Sequence, residues 1–189
     1  MTEPSDTRAV NSCPELRLST PARASRGSLV PWIALVVLLL DQATKSWMVG
    51  RLSGVETVPL VSGLLHLTLV HNRGGAFGLL PGASGLFVLV GAAAALVILI
   101  IGRRVPGLSW AGALALGLIL GGALGNLLDR VLLGTVTDFV DVRLHGQNVW
   151  PVFNLADSCI TVGGVLAALQ MLRGSKEEAG VEGSREQSF

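Results

Sequence analysis

Two aspartates stand out in a chain that otherwise avoids charge. Asp138 lies in Thr135-Val-Thr-Asp-Phe-Val140 and Asp157 in Phe153-Asn-Leu-Ala-Asp157, at the same end of two long apolar segments. An ionisable group near hydrocarbon costs about 3 kcal/mol on insertion scales, so it persists only if paired, hydrated or working. Two close carboxylates cannot both ionise easily, so one holds its proton and the pair shares it. The ionised member can then draw a proton from water while the protonated one polarises a carbonyl, with no covalent intermediate. This chemistry predicts an intramembrane aspartyl protease. A blander reading carries equal weight on position alone: each acid is interfacial and solvated, or caps a helix. Asp157 falls in the first turn of a helix, where the macrodipole favours an anion.

The other polar groups near the apolar segments also read two ways. Asn154 is three residues before Asp157, on the same helical face, where it orients a catalytic carboxylate or holds substrate backbone, the alternative being a helix cap. Asn126, Asp129 and Arg130 share one helical face. They form a structural cluster, with Asp129 or Asn126 pairing with a distant arginine, or Arg130 offers its fork to a phosphate or substrate carbonyl. Asp41 and Lys45 are four apart in the favourable order for a helical ion pair, the alternative being a lipid contact. Asp141 reads as a solvated loop acid. His66, His71 and His145 are scattered without ligand spacing, so no metal site and no cofactor is expected. Ser46 beside Lys45 is the one tempting nucleophile, and Lys45 already has a partner in Asp41.

These residues must be positioned by membrane helices. Hydrophobic residues make up 50% of the chain and charged residues 14%, against about 25% charged in a soluble domain. The net charge of +1 and the lack of any basic block give no sign of nucleic-acid binding. The pattern predicts an all-α membrane protein with four spans: Leu29–Val49, Gly85–Ile101, Leu108–Leu128 and Phe153–Leu172. The first would reach roughly 30 Å, enough to cross. Gly117, Gly121 and Gly125 put small residues every fourth position of the third, allowing another helix close approach. Arg17, Arg23 and Arg26, then Arg103 and Arg104, then Arg173 and Lys176 all fall on one side, so both termini are expected to be cytoplasmic. The stretches of about 50–84 and 130–152 are then external. Within the first, Leu64-Leu-His-Leu-Thr-Leu-Val70 predicts a small β-rich subdomain on the membrane surface. Asn72-Arg-Gly-Gly-Ala-Phe-Gly78 reads as a tight turn, and residues 141–150 as a mobile segment. Residues 1–28 and 173–189 are expected to be disordered tails flanking a 29–172 core. Cys13 and Cys159 are expected to be free thiols.

A carrier would place its acids near the midplane, amid repeats and broken helices; none is visible. A scaffold built on the glycine-rich helix leaves the outer polar residues unexplained. The Gly-x-Gly-Asp motif of another intramembrane aspartyl protease class is absent.

Asp41-Gln-Ala-Thr-Lys45, Asn72-Arg-Gly-Gly-Ala-Phe-Gly78, Gly122-Ala-Leu-Gly-Asn-Leu-Leu-Asp-Arg130, Gly134-Thr-Val-Thr-Asp-Phe139 and Phe153-Asn-Leu-Ala-Asp157 occur in that order. Together they resemble bacterial lipoprotein signal peptidase, or signal peptidase II, from about residue 30 to 172. The resemblance implies a monomeric inner-membrane endopeptidase whose active site faces outward. It would cut prolipoproteins just before a diacylglyceryl-cysteine and bind globomycin-type cyclic peptides. It makes Asp138 and Asp157 the catalytic dyad. Asn72, Gly125, Asn126, Arg130 and Asn154 would line or support the substrate site, with Asp129, Asp41 and Lys45 supporting. The long polar tail before residue 29 departs from the family core.

Overall fold

A computed structural model of the chain describes residues 26–74, 84–105 and 107–186, with side chains to Arg173. Cys13, residues 1–25 of the expected N-terminal tail and most of the expected Asn72–Gly78 turn lie outside the described residues. A short 3-10 turn, Arg26–Ser28, leads into α1, Leu29–Leu52. Strands β1 (Val58–Val61) and β2 (Leu65–Asn72) follow, then α2 (Ser84–Arg104), α3 (Trp110–Leu133), β3 (Val136–Leu144), β4 (Gln147–Asn148) and α4 (Leu155–Glu186). Among the described residues, four helices are long and apolar enough to cross a membrane. Trp32 and Trp110 are exposed at one end of the bundle, Trp47 and Trp150 at the other, as in the aromatic belts at the two faces of a bilayer.

Helix α3 is the hub, packing against α1, α2 and α4. Its glycines explain how. A Cβ on Gly121 would stand 2.6 Å from Val37 Cβ and 2.7 Å from the Ala34 carbonyl oxygen. Likewise a Cβ on Gly122 would stand 2.5 Å from the Ala156 carbonyl oxygen. Hence α1 and α4 lie backbone-close on two faces of α3. Contacts ascend together along α1 and α3, with Gly117 against Ile33, Gly121 against Val37 and Gly125 against Asp41, so these two helices run parallel. Val30, Ala34, Ala95, Ile98, Ala113 and Leu120 fill the interior between α1, α2 and α3.

The four strands form one antiparallel arrangement in the order β1-β2-β3-β4. It is anchored where Phe139 of β3 packs on Met48 and Leu52 at the end of α1. Three expectations need correction here. Asp138 sits on a strand rather than at a helix end, because β3 starts only three residues after α3 stops at the left-handed Gly134 (φ 72°). Residues 141–150 are largely a β3–β4 hairpin, turned by His145 and Gly146 with positive φ. And α4 does not end at Leu172: its backbone stays helical to Glu186, through Lys176, Glu177, Glu178 and Ala179, which are strong helix formers.

Candidate active site

The start of α4 is built by its own polar residues. Asn154 is the residue just before the helix; its Oδ1 accepts from the Asp157 amide at 3.0 Å, and Asp157 Oδ2 accepts from the Asn154 amide at 3.1 Å. This reciprocal cap is a capping box, and it fixes the Asp157 carboxylate. The same Asn154 then donates from Nδ2 to Asp138 Oδ1 at 2.7 Å. One asparagine therefore ties both carboxylates together, and the cap and orienting readings of Asn154 both hold.

Strand β3 delivers Asp138. Its neighbour Val140 exchanges backbone hydrogen bonds with Phe153 at 2.8 and 3.0 Å, so β3 is stapled to the residue preceding Asn154. Across the ladder, Asn72 pairs with Val136 and Val70 with Asp138. Asn72 therefore lies diagonal to Asp138 on the same face, and its Nδ2 donates to Asp138 Oδ2 at 3.1 Å. The Gly74 amide holds Asn72 Oδ1 at 2.9 Å. From α3, Asn126 Nδ2 donates to Asp157 Oδ1 at 2.8 Å. Each of the four carboxylate oxygens thus has a donor.

Asp138 is 2% exposed. Burial, reinforced by the negative charge of Asp157 and only partly offset by the bonds from Asn72 and Asn154, pushes its carboxyl up to about 7. Asp138 thus keeps its proton to a far higher pH than a free carboxyl.

Below the pair lies a buried ionic cluster. Lys45 Nζ contacts Asp41 Oδ2 at 2.8 Å, Asp129 Oδ2 at 3.2 Å and Asn126 Oδ1 at 3.1 Å. Asp41 Oδ1 accepts from the Ala156 amide at 3.0 Å, tying α1 to α4, and Asp129 Oδ2 accepts from the Thr137 amide at 2.9 Å, tying α3 to β3. Gly125 leaves the space that Asp41 occupies: a Cβ there would stand 2.5 Å from Asp41 Oδ2. Asp129 pairs with Lys45, not with the arginine expected. Arg130 instead donates to the backbone carbonyls of Asn126 and Gly74 at 3.3 and 3.4 Å, and lies 5.2 Å from the Phe87 ring centre.

Asn72, Asn126, Arg130, Asp138 and Asp157 all line one cleft of about 240 Å³, whose far wall is the Trp150–Phe153 segment. The structure thus brings together the ten residues that the resemblance implied: five in the cleft, and Asp41, Lys45, Gly125, Asp129 and Asn154 directly behind it.

Two things were missed. Gln42 bridges the cluster, donating to Asp129 Oδ1 at 3.0 Å and to Asp41 Oδ2 at 3.2 Å; a glutamine within an apolar helix was the available signal. Asp141 is not a solvated loop acid. It is fully buried on β3, with Oδ2 held by Arg143 Nη2 at 2.6 Å and by the Thr68 hydroxyl at 2.9 Å. Among the described residues, no group of three or more acidic, histidine or cysteine side chains is placed to hold a metal ion.

Comparison with known proteins shows the family. The family model described as signal peptidase (SPase) II matches residues 33–173. A lipoprotein signal peptidase of Paraburkholderia phytofirmans is 46% identical over 156 residues, covering 79% of this chain and 89% of its own. That of Pseudomonas aeruginosa PAO1 is 43% identical over 159 residues, covering 80% and 92%. That of Halothermothrix orenii is 41% identical over 144 residues, covering 76% and 95%. A bacterial membrane enzyme solved by the in meso method at 2.3 Å resolution superposes with a TM-score of 0.69 at 26% identity, covering 82% of this chain and 94% of that one. Four spanning helices, a small antiparallel sheet and this match over most of the chain make it a multi-pass aspartic-type peptidase, and it belongs to the signal peptidase II family.

Proposed function

We propose that the protein removes signal peptides from diacylglyceryl-modified prolipoproteins, cutting just before the lipidated cysteine, with Asp138 and Asp157 as a proton-sharing dyad. The observation that carries this reading is the single Asn154 bonded at 2.7 and 3.1 Å to two carboxylates that line one cleft. The ionised carboxylate takes a proton from water as the water oxygen attacks the scissile carbonyl carbon. The protonated carboxyl gives its proton to the carbonyl oxygen. Collapse of the resulting gem-diol breaks the C–N bond, and the departing cysteine nitrogen takes up a proton from the dyad. The pair titrates as a unit, so neither residue owns the resting proton.

Asn72, Asn126 and Asn154 hold the dyad; Lys45 holds Asn126, Asp41 and Asp129 hold Lys45, and Gly125 leaves room for Asp41. Arg130, which meets the Asn126 and Gly74 carbonyls and the Phe87 ring, turns its guanidinium to substrate carbonyl oxygens. Arg26, Arg103, Arg104 and Arg173 lie at the helix ends away from the site, which supports cytoplasmic termini in the bacterial inner membrane and an outward-facing dyad. The lipid of the substrate then stays in the outer leaflet, entering a monomer laterally. A globomycin-type cyclic peptide would compete for the same cleft.

The test is cleavage of a diacylglyceryl prolipoprotein by detergent-solubilised protein, beside Asp138→Asn, Asp157→Asn and an unlipidated substrate. Cleavage confined to the lipidated substrate and lost in both folded variants is expected. Survival of cleavage in either variant refutes the aspartyl mechanism.

A further inference from the structure

An ammonium is a donor and nothing else, with three hydrogens to give. Lys45 spends them on Asp41 Oδ2, Asp129 Oδ2 and Asn126 Oδ1, at 2.8, 3.2 and 3.1 Å. The Asn126 atom that meets Lys45 must therefore be the oxygen. Its NH2 group is left to face Asp157 Oδ1, at 2.8 Å. The two other asparagines of the site are locked the same way by backbone N–H groups. The Asp157 amide holds Asn154 Oδ1 at 3.0 Å and the Gly74 amide holds Asn72 Oδ1 at 2.9 Å, turning both NH2 ends toward Asp138. Asn126 alone among the three is locked by a side-chain charge, and that charge comes from a different helix.

Resting on the dyad reading above, we propose that Lys45 is a positioning residue for peptide hydrolysis: its ammonium fixes which end of the Asn126 amide meets Asp157, keeping the reacting pair supplied with donors.

Removing the ammonium shows why the lock matters. Asp41 and Asp129 are 0% and 3% exposed; without Lys45 each keeps Gln42 Nε2 and one backbone amide but loses its charged donor, and a buried carboxylate stripped of its counter-ion is costly. Gln42 already serves both acids, so a further donor must come from the Asn126 NH2. Turning toward them, it would set its own oxygen against Asp157, replacing a donated hydrogen by facing lone pairs. Asn154 Nδ2 also reaches Asn126 Oδ1, at 3.0 Å, but it serves the Thr137 carbonyl at 3.3 Å and Asp138 at 2.7 Å as well. Its two hydrogens cannot hold all three. The charges facing this region are Asp41 from α1, Asp129 and Arg130 from α3, Asp138 from β3 and Asp157 from α4. Among the described residues, loss of Lys45 leaves Arg130 as the cation facing these four acids. Both the lost donor and the lost charge favour the protonated dyad.

The experiment is the pH profile of prolipoprotein cleavage by full-length Lys45→Met, Lys45→Gln and Lys45→Arg, each checked for folding by thermal unfolding in detergent. A folded neutral variant is expected to lose about tenfold or more in kcat, with KM changed far less. The alkaline limb of its profile should move up by about one pH unit. Lys45→Arg, a donor-only cation, should return that limb toward its wild-type position. A structural role alone lowers the folded fraction without moving the limb, so an unmoved limb in a folded neutral variant overturns the proposal. So does failure of both neutral variants to fold. If wild type does not cleave, or Asp157→Asn still does, the dyad reading fails first; Lys45 is at fault only when those controls behave.

Discussion

Gly125→Ala is the most demanding test of how α1, α3 and the site are joined. The added Cβ would stand 2.5 Å from Asp41 Oδ2 and 3.0 Å from Asp41 Cγ. A carbon and an oxygen approach to about 3.3 Å at closest, so the groups must part by about 0.8 Å. Asp41 cannot swing aside. Its Oδ2 is held by Lys45 at 2.8 Å and its Oδ1 by the Ala156 amide at 3.0 Å, so the two helices themselves must separate. Overpacking of this kind costs about 1–3 kcal/mol. The same displacement stretches the 3.1 Å bond from Lys45 to Asn126, and a shift of this size in a supporting group can cost about a hundredfold in turnover. Gly164→Ala is the control: nothing lies within 4 Å of its Cβ, and replacing a mid-helix glycine gains about 0.5–1 kcal/mol. Thermal unfolding in detergent and cleavage at saturating lipidated substrate measure both effects. A Gly125→Ala protein as stable and as fast as wild type would refute the close contact on which the site geometry depends.

Asp138, raised to about 7, holds its proton more tightly in the folded chain than in the unfolded one, where a carboxyl titrates near about 4. Its stabilising contribution is complete below the unfolded value and is lost as pH rises through about 7, so the thermal midpoint should fall between about pH 4 and 7 and then level off, while kcat/KM falls between about pH 6 and 8 as the folded chain gives up that proton. Asp138→Asn should abolish this dependence of the midpoint. Arg143→Ala strands the buried Asp141 carboxylate on the Thr68 hydroxyl without its counter-ion, costing about 1–3 kcal/mol. The Arg143→Ala/Asp141→Asn double variant should recover part of that loss in the same unfolding assay, because the penalty lies in the unpaired charge.

The spans and the site were legible for one reason: an apolar chain makes each polar residue conspicuous. Asp41, Lys45, Asn126, Asp129, Asp138, Asn154 and Asp157 could be found because nothing around them competes for attention, and Gly117, Gly121 and Gly125 showed their helical face by spacing alone. The external sheet was less legible. Val136-Thr-Asp-Phe-Val-Asp-Val-Arg143 alternates imperfectly because both its faces are occupied, Asp138 by the site and Phe139 by the end of α1. Buried on both sides, it lacks the one-sided pattern that marks a surface strand. Asp141 was misread for the same reason: its solvent shield is a strand partner and Arg143, and neither contact follows from sequence spacing. Nor did the sequence distinguish the two uses of Asn154, since capping a helix and orienting Asp138 require the same amide.

That double use sets the geometry of the dyad. Asp138 and Asp157 come from a strand and a helix, elements that ordinarily move independently. Here a two-residue β-bridge between Val140 and Phe153 joins them, and the capping box begins at the next residue, Asn154. From Asp138 to Asp157 the restraint runs two residues down β3, across one bridge and three residues into α4, and Asn154 closes the ring with a 2.7 Å bond back to Asp138. The intervening chain, including the whole β3–β4 turn, hangs outside this ring. The separation of the carboxylates is therefore fixed by local backbone geometry near the membrane surface. The hairpin beyond it is left to vary in length and sequence without disturbing the pair.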